Sequence, residues 1–375
     1  MRNNIKFLIA LFVIIVAIVG CSDKKDIIIT TISSRDIAKG IVYREVELQG
    51  SVKSNASILE INSNDKNIHL ELSTAGKKLD GYLSTVKAMV QANDGIAGIN
   101  ASYYGHGYNA FLPGAIRGLS IINRELVATP NNLDSMLSIG IGITKDNRLK
   151  IVHDITYKSE IITENNTKLT NVLVNAFKWE EKVASILFTP RFGYYTPKAK
   201  GMKIILTPIN EKTLFINREI KARVTGKNSE ETVCIPDGSF ALLILDNTLI
   251  KENDFKVNEI ISLKFVFSEA FTDIQNAIAS PWYLIENGKT NIKFNKDDNN
   301  KAEQTVFIGA AGDKLILGCL NISRTNLLIF LKKLNIDTAG CLDGGGSSTL
   351  VVGNDVKYGG RRAVADALVV YYRKN

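Results

Sequence analysis

Apolar and polar positions alternate at period two along much of the chain. Val46-Glu47-Leu48, Ser57-Ile58-Leu59-Glu60-Ile61 and Ile68-His69-Leu70-Glu71-Leu72 each send apolar side chains to one side and polar ones to the other, with Asn-Asp turns between them. Ile96 to Asn100 predicts a buried strand that runs into a glycine-punctuated loop, Tyr103-Tyr104-Gly105-His106-Gly107-Tyr108. Leu112-Pro113-Gly114 predicts a turn, and Gly118 to Val127 a hairpin about Asn123 and Arg124. The short-strand rhythm continues through residues 134–268, and no Pro-rich or Gly/Ser-rich linker separates that region from its flanks. Val306 to Gly309, Lys314 to Gly318, Ala339 to Leu342, Thr349 to Val352 and Val364 to Tyr372 predict further strands.

Two segments carry helical spacing instead. Val86, Met89 and Val90 share one face, and Leu327, Leu328, Phe330, Leu331 and Leu334 form an apolar stripe after the N-cap candidate Ser323. No internal repeat indicates a solenoid or propeller. The expected fold class is α+β, mostly short strands in mixed or antiparallel sheets with a few helices packed on one side.

The first residues follow a different pattern. Arg2 and Lys6 precede an unbroken apolar run from Phe7 to Val19, and Gly20-Cys21 then gives way to Ser22-Asp23-Lys24-Lys25. The run is short for a bilayer span, which needs about 20 apolar residues. It fits a secretory signal with a small residue at the cleavage site. Cys21 directly after that residue resembles the lipobox of bacterial lipoproteins, in which the cysteine is acylated and becomes the new N-terminus. The expected organisation is a signal peptide over residues 1–20, a tether over 21–41 and one domain over 42–375. A lipid on Cys21 would hold that domain at the cell membrane or outer membrane, outside the cytoplasm.

Composition sharpens this in three ways. With 375 residues, 45% of them hydrophobic and 22% charged, the chain can bury a sizeable core and is not a disordered polymer. Four cysteines exclude a disulfide scaffold, and the three beyond Cys21 (Cys234, Cys319 and Cys341) allow at most one bridge, so none is expected. The net charge of +8 comes from scattered residues with no basic run interleaved with aromatics, which argues against nucleic-acid binding.

The sharpest chemical signal is Leu342-Asp343-Gly344-Gly345-Gly346-Ser347-Ser348-Thr349. Three successive glycines are kept where the backbone must take unusual angles or approach a ligand. Their N–H groups could form an anion nest, with the Ser347, Ser348 and Thr349 hydroxyls as further donors. A tight strand-to-strand turn in which Asp343 satisfies its own loop fits the same residues. Arg361-Arg362, just before the last strand, returns to this loop if the two final strands pair, and an Arg fork beside an N–H nest suits a phosphate. Neither a P-loop nor a Gly-x-Ser-x-Gly elbow is present, and the three histidines lack zinc-site spacing. His106, in its glycine loop, is the histidine expected nearest a site.

These residues, from Leu342 through Thr349 to Leu350-Val351, resemble the C-terminal signature of the phosphodiester glycosidase domain family. Further elements follow the family's order: Gly98-Ile99-Asn100-Ala101-Ser102-Tyr103-Tyr104, then Leu112-Pro113-Gly114 with Gly118-Leu119-Ser120-Ile121. Pro281 to Gly288 and Arg362-Ala363-Val364-Ala365-Asp366-Ala367-Leu368 complete the set. The resemblance spans residues 45–373. It departs at Cys341, where the family usually carries Asn, at Arg361, where Glu is common, and at Gln304-Thr305 in place of Arg-Thr.

The resemblance implies a hydrolase that cleaves the glycosidic bond of a sugar-1-phosphodiester. Asp343 would be nucleophile or base, Gly344, Gly345, Gly346, Ser347, Ser348, Arg361 and Arg362 would hold phosphate, and Asn100 and Tyr103 would line the sugar pocket. No cofactor is certain. Calcium suits an extracellular site rich in Asp and Asn, without a specified ligand set. The expected partners are a glycan or sugar phosphodiester and, through Cys21, a membrane. Two other readings stand beside this one: a non-catalytic lipoprotein that binds phosphorylated glycans, and a phosphodiesterase that cuts P–O.

Overall fold

A computed structural model describes residues 26–79, 81–105, 114–130, 135–245, 254–296, 301–360 and 362–373. The period-two segments form strands as their alternation requires: Ser54–Asn62 covers the Ser57 to Ile61 segment, and Ile68–Thr74 covers Ile68 to Leu72. The Asn123-Arg124 hairpin joins Ser120–Ile122 to Glu125–Ala128, with both corner residues at positive φ as a type I′ turn demands.

The fold class differs from the α+β expectation. The described residues are mostly β, 51% strand and 8% helical, with several large sheets. Among the described residues there are three α-helices: α1 (Val86–Ala92), α2 (Ile292–Lys296) and α3 (Arg324–Lys333). The apolar stripes at helical spacing are real but short, so the helices cover parts of sheets and build no layer of their own. Most of the core lies between sheets instead.

Two eight-stranded and two five-stranded sheets are described. One five-stranded sheet carries the candidate chemistry. Its strands run in the order Asp355–Gly359, Thr349–Val352, Ala97–Asn100, Asp366–Tyr372 and Ile68–Thr74, every neighbour antiparallel. The central strand Ala97–Asn100 is buried at all four positions. Gly98 allows α1 to lie directly on it, because a Cβ there would meet Val90 Cγ2 at 2.5 Å.

An eight-stranded sheet lies alongside. Thr31, Val46, Ala56, Leu320 and Thr305 pair successively across its first five strands. Its outermost strand, Ile27–Ala38, falls within the segment expected as a tether and pairs with Ile41–Gly50. The other eight-stranded sheet, built from residues 157–267, has a separate apolar core that includes Phe240, Phe255 and Phe265.

Candidate functional site

Two strands end where the glycine loop begins. Thr338–Cys341 leaves the eight-stranded sheet, and Leu342 still donates its N–H to Val306 O at 3.0 Å. Asp343 then crosses to the five-stranded sheet, its N–H donating to Ala101 O at 3.0 Å. Gly345 takes φ +59° and begins a short 3-10 turn, in which Ser347 and Ser348 donate to Gly344 O and Gly345 O. Thr349 opens the next strand.

Asn100 fixes both ends of this excursion. Its Nδ2 donates to Asp343 O at 2.5 Å and its Oδ1 accepts the Thr349 N–H at 2.9 Å. The side chain is 1% exposed, so it works beneath the loop as a brace. Tyr103 braces the entry as well, its hydroxyl donating to Leu342 O at 3.2 Å. Burial pushes the Tyr103 phenol well above its ordinary value, with Cys341 and Asp343 adding to the rise, so it remains a donor at any physiological pH.

Above these braces the loop opens to solvent. Gly345 and Gly346 are exposed, Asp343 and Gly344 half-buried, and Ser347 and Ser348 buried. Arg362 lies against the loop: a Cβ on Gly346 would fall 2.6 Å from the guanidinium carbon. Glycine at 346 thus lets a planar cation approach the backbone directly. Gly344 backs onto the neighbouring sheet, since a Cβ there would meet Gln304 O at 2.7 Å. The Ser348 hydroxyl is buried without a hydrogen-bond partner among the described residues.

Sequence reasoning gave no site role to Tyr104 or Asp366. Tyr104 donates its hydroxyl to Ala363 O at 2.9 Å, and burial raises its pKa while Ser347 and Arg362 oppose the rise. Asp366, 1% exposed, accepts from Ser102 N–H at 2.7 Å and from Ser102 Oγ at 2.5 Å. Burial pushes the Asp366 carboxyl up to about 6 against those two hydrogen bonds, and the charge of Asp343 adds to the rise. The available signal was a lone carboxylate inside the apolar run Val364 to Val370.

The sign of the Asp366 effect follows from linkage. Its folded pKa lies above the ordinary 3.8, so the folded state binds more protons between about pH 4 and pH 6, and stability falls as pH rises through that window. Asn at this position keeps both bonds to Ser102, accepting the N–H and donating to the hydroxyl. Asp366→Asn is therefore expected to be more stable than wild type at pH 7.5, by up to about 3 kcal/mol, with the advantage vanishing near pH 4. Urea midpoints of both proteins across pH 4 to 8 check this, and a difference independent of pH would contradict it.

The structure thus brings Asp343, Gly344 to Ser348, Asn100, Tyr103 and Arg362 together. Arg361, Cys21, His106 and the Leu112-Pro113 pair lie outside the described residues. Among those described, no group of three or more His, Cys, Asp or Glu side chains gathers as a metal site would. What remains is a half-buried carboxylate on an exposed glycine loop with a guanidinium against it. That set can hold an anionic group and act on a bond beside it.

Residues 214–371 match the family model described as phosphodiester glycosidase, which bears out the resemblance seen in the C-terminal motifs. The matched stretch includes Asp343, the glycine loop and Arg362, and supports a hydrolase-type function. No curated protein matches the chain. Among solved structures, a hypothetical protein from Synechocystis is similar at 15% identity and a TM-score of 0.73, covering 94% of this chain and 65% of that one. A putative exported protein from Burkholderia pseudomallei is similar at 11% identity and a TM-score of 0.70, covering 92% and 97%. Both likenesses concern the fold, and this chain spans about two thirds of the Synechocystis protein. The zebrafish N-acetylglucosamine-1-phosphodiester alpha-N-acetylglucosaminidase catalytic domain, auto-inhibited by its pro-peptide, aligns over 94% of this chain and 86% of its own at 11% identity. Its TM-score of 0.39 is too low to carry an argument.

Proposed function

We propose that the chain is an extracytoplasmic lipoprotein hydrolase that cleaves the glycosidic bond of a sugar-1-phosphodiester, releasing free sugar and leaving a phosphomonoester. The observation that carries this reading is the Arg362 guanidinium against Gly346, in the same loop as Asp343. A sugar-1-phosphodiester already has a good leaving group, so strong acid assistance matters less than for an ordinary glycoside. The site must hold the departing phosphate, stabilise an oxocarbenium-like sugar and deliver a nucleophile. Arg362 and the exposed face of Gly345 and Gly346 suit the first task. Asp343 suits the other two, as nucleophile or as base for water. Asn100 and Tyr103 act by fixing the loop that carries it.

One observation favours a second reading. Gln304, at the position where the resembled family carries Arg, borders Gly344, so the loop has one cation fewer on that side than the family pattern implies. A lipoprotein that binds phosphorylated glycans without turnover would accommodate that loss. Products separate the readings. Incubation with N-acetylglucosamine-1-phosphodiester and related diesters, followed by mass analysis, is expected to yield free sugar plus phosphomonoester. Sugar phosphate would indicate P–O cleavage, and saturable binding with no product would favour the binder.

A further inference from the structure

The start of the first described strand, six residues after Cys21 in the sequence, and the glycine loop belong to the same end of one sheet. Thr31 and Thr305 occupy one row of paired residues through Val46, Ala56 and Leu320, four inter-strand steps apart, or about 19 Å. The loop lies at the Thr305 end of that row, because a Cβ on Gly344 would be 2.7 Å from Gln304 O and 3.8 Å from Thr305 Cα. Strand direction decides the rest. The pairs Thr30↔Glu47 and Gln304↔Asn321 lie one step further on, so Ile27 and Glu303 both point out of the sheet at the end that carries the loop. Cys21 precedes Ile27 by six residues, a reach of at most about 22 Å.

The surface at that end suits a bilayer. Ile28 and Ile32 on the outermost strand are each 56% exposed, and Ile292, at the start of α2, is 78% exposed. The α2 helix belongs to the same end: Phe294 packs edge-on against Trp282, whose carbonyl accepts the Cys341 N–H two residues before Asp343. Lys53, in the turn beside Gly50, is exposed there as well, and Lys24 and Lys25 stand three and four residues after Cys21 in the sequence. Apolar side chains with nearby lysines are what an anionic membrane surface receives.

We propose that the lipid on Cys21 turns the glycine-loop end toward the bilayer, and that the sugar phosphodiester hydrolysed there is membrane-borne, its aglycone a lipid. The proposal rests on the glycosidase reading above. Water supplies the new oxygen on C1 of the sugar, the bond from C1 to the phosphate oxygen breaks, and the phosphomonoester stays in the membrane on its lipid. The lost proton passes to solvent. A short tether raises the effective concentration of such a substrate at the site and gives no advantage with a soluble one.

The test compares the full lipidated chain with Cys21→Ala on two probes. One is the hexadecyl diester of N-acetylglucosamine-1-phosphate in vesicles of phosphatidylethanolamine and phosphatidylglycerol, the other its soluble methyl diester. The lipidated chain is expected to release sugar from the vesicles on the order of 10²-fold faster than Cys21→Ala, with equal rates on the methyl diester. A lipidated variant with a long Gly/Ser insertion between Lys25 and Asp26 is expected to lose most of that advantage, which separates orientation from mere recruitment. Equal vesicle rates with and without the lipid, or an advantage that survives the insertion, overturn the proposal and leave the glycosidase reading standing. No release from either diester removes both.

Discussion

Asp343→Asn is expected to lower kcat by about 10³-fold or more while leaving the fold intact. The substitution keeps the side chain's shape and removes only its charge and basicity. Two main-chain hydrogen bonds hold this residue in the loop: its N–H reaches Ala101 O and its carbonyl accepts from Asn100. Those survive in Asn, so the loop keeps its course. The phosphate contacts proposed for Arg362 and the glycine loop are untouched, and KM should change far less than kcat, the pattern of a group that acts in the transition state. Steady-state kinetics with a sugar-1-phosphodiester, paired with urea denaturation, measures both halves. Wild-type turnover in the variant would remove Asp343 from the chemistry.

Asn100→Asp is expected to be as damaging by another route. In the native protein one amide oxygen accepts from Thr349 and the amide nitrogen donates to the Asp343 carbonyl. Aspartate keeps the first bond and turns the second into two oxygens facing each other in a buried site. Its charge would also join those of Asp343 and the buried Asp366. A cost of about 3 kcal/mol or more in stability follows, read as a lower urea midpoint, together with loss of activity as the loop loses its closing bond. A midpoint within error of wild type would mean that the loop holds its shape without Asn100.

The two variants mark what the sequence made legible. The glycine run with its preceding Asp was visible as a candidate site, although a tight strand-to-strand turn fitted the same residues. Arg362 was expected near the loop on the condition that the two final strands pair with each other. They do not: Thr349–Val352 and Asp366–Tyr372 flank Ala97–Asn100 and each pairs with it, and Arg362 lies against the loop all the same. Asn100 was expected in the sugar pocket. Whether a buried amide faces a ligand or braces a loop depends on partners 243 and 249 residues away, which no local pattern encodes.

The misread fold class has a similar origin. Leu327 to Leu334 reads as a helix and forms one, but periodicity reports a single element's exposed and buried faces and not how many such elements share a layer. The strands of residues 157–267 carry their own buried faces, so they assemble around a separate core and shift the balance to sheet on sheet. Ile27 to Ala38 belongs to the polar, Ile-rich lead-in expected as a tether. It is an edge strand, held on one side by Ile41–Gly50. Asp366 escaped notice because its significance lies in the two bonds from Ser102 and the nearby charge of Asp343, all contributed by distant segments.

The most direct measurement is hydrolysis of a sugar-1-phosphodiester in water labelled with heavy oxygen, with the label located by mass analysis. Attack at the sugar carbon predicts label in the released sugar and none in the phosphomonoester, with both products lost in Asp343→Asn. Label in the phosphate, or tight binding with no product, would contradict a glycosidase.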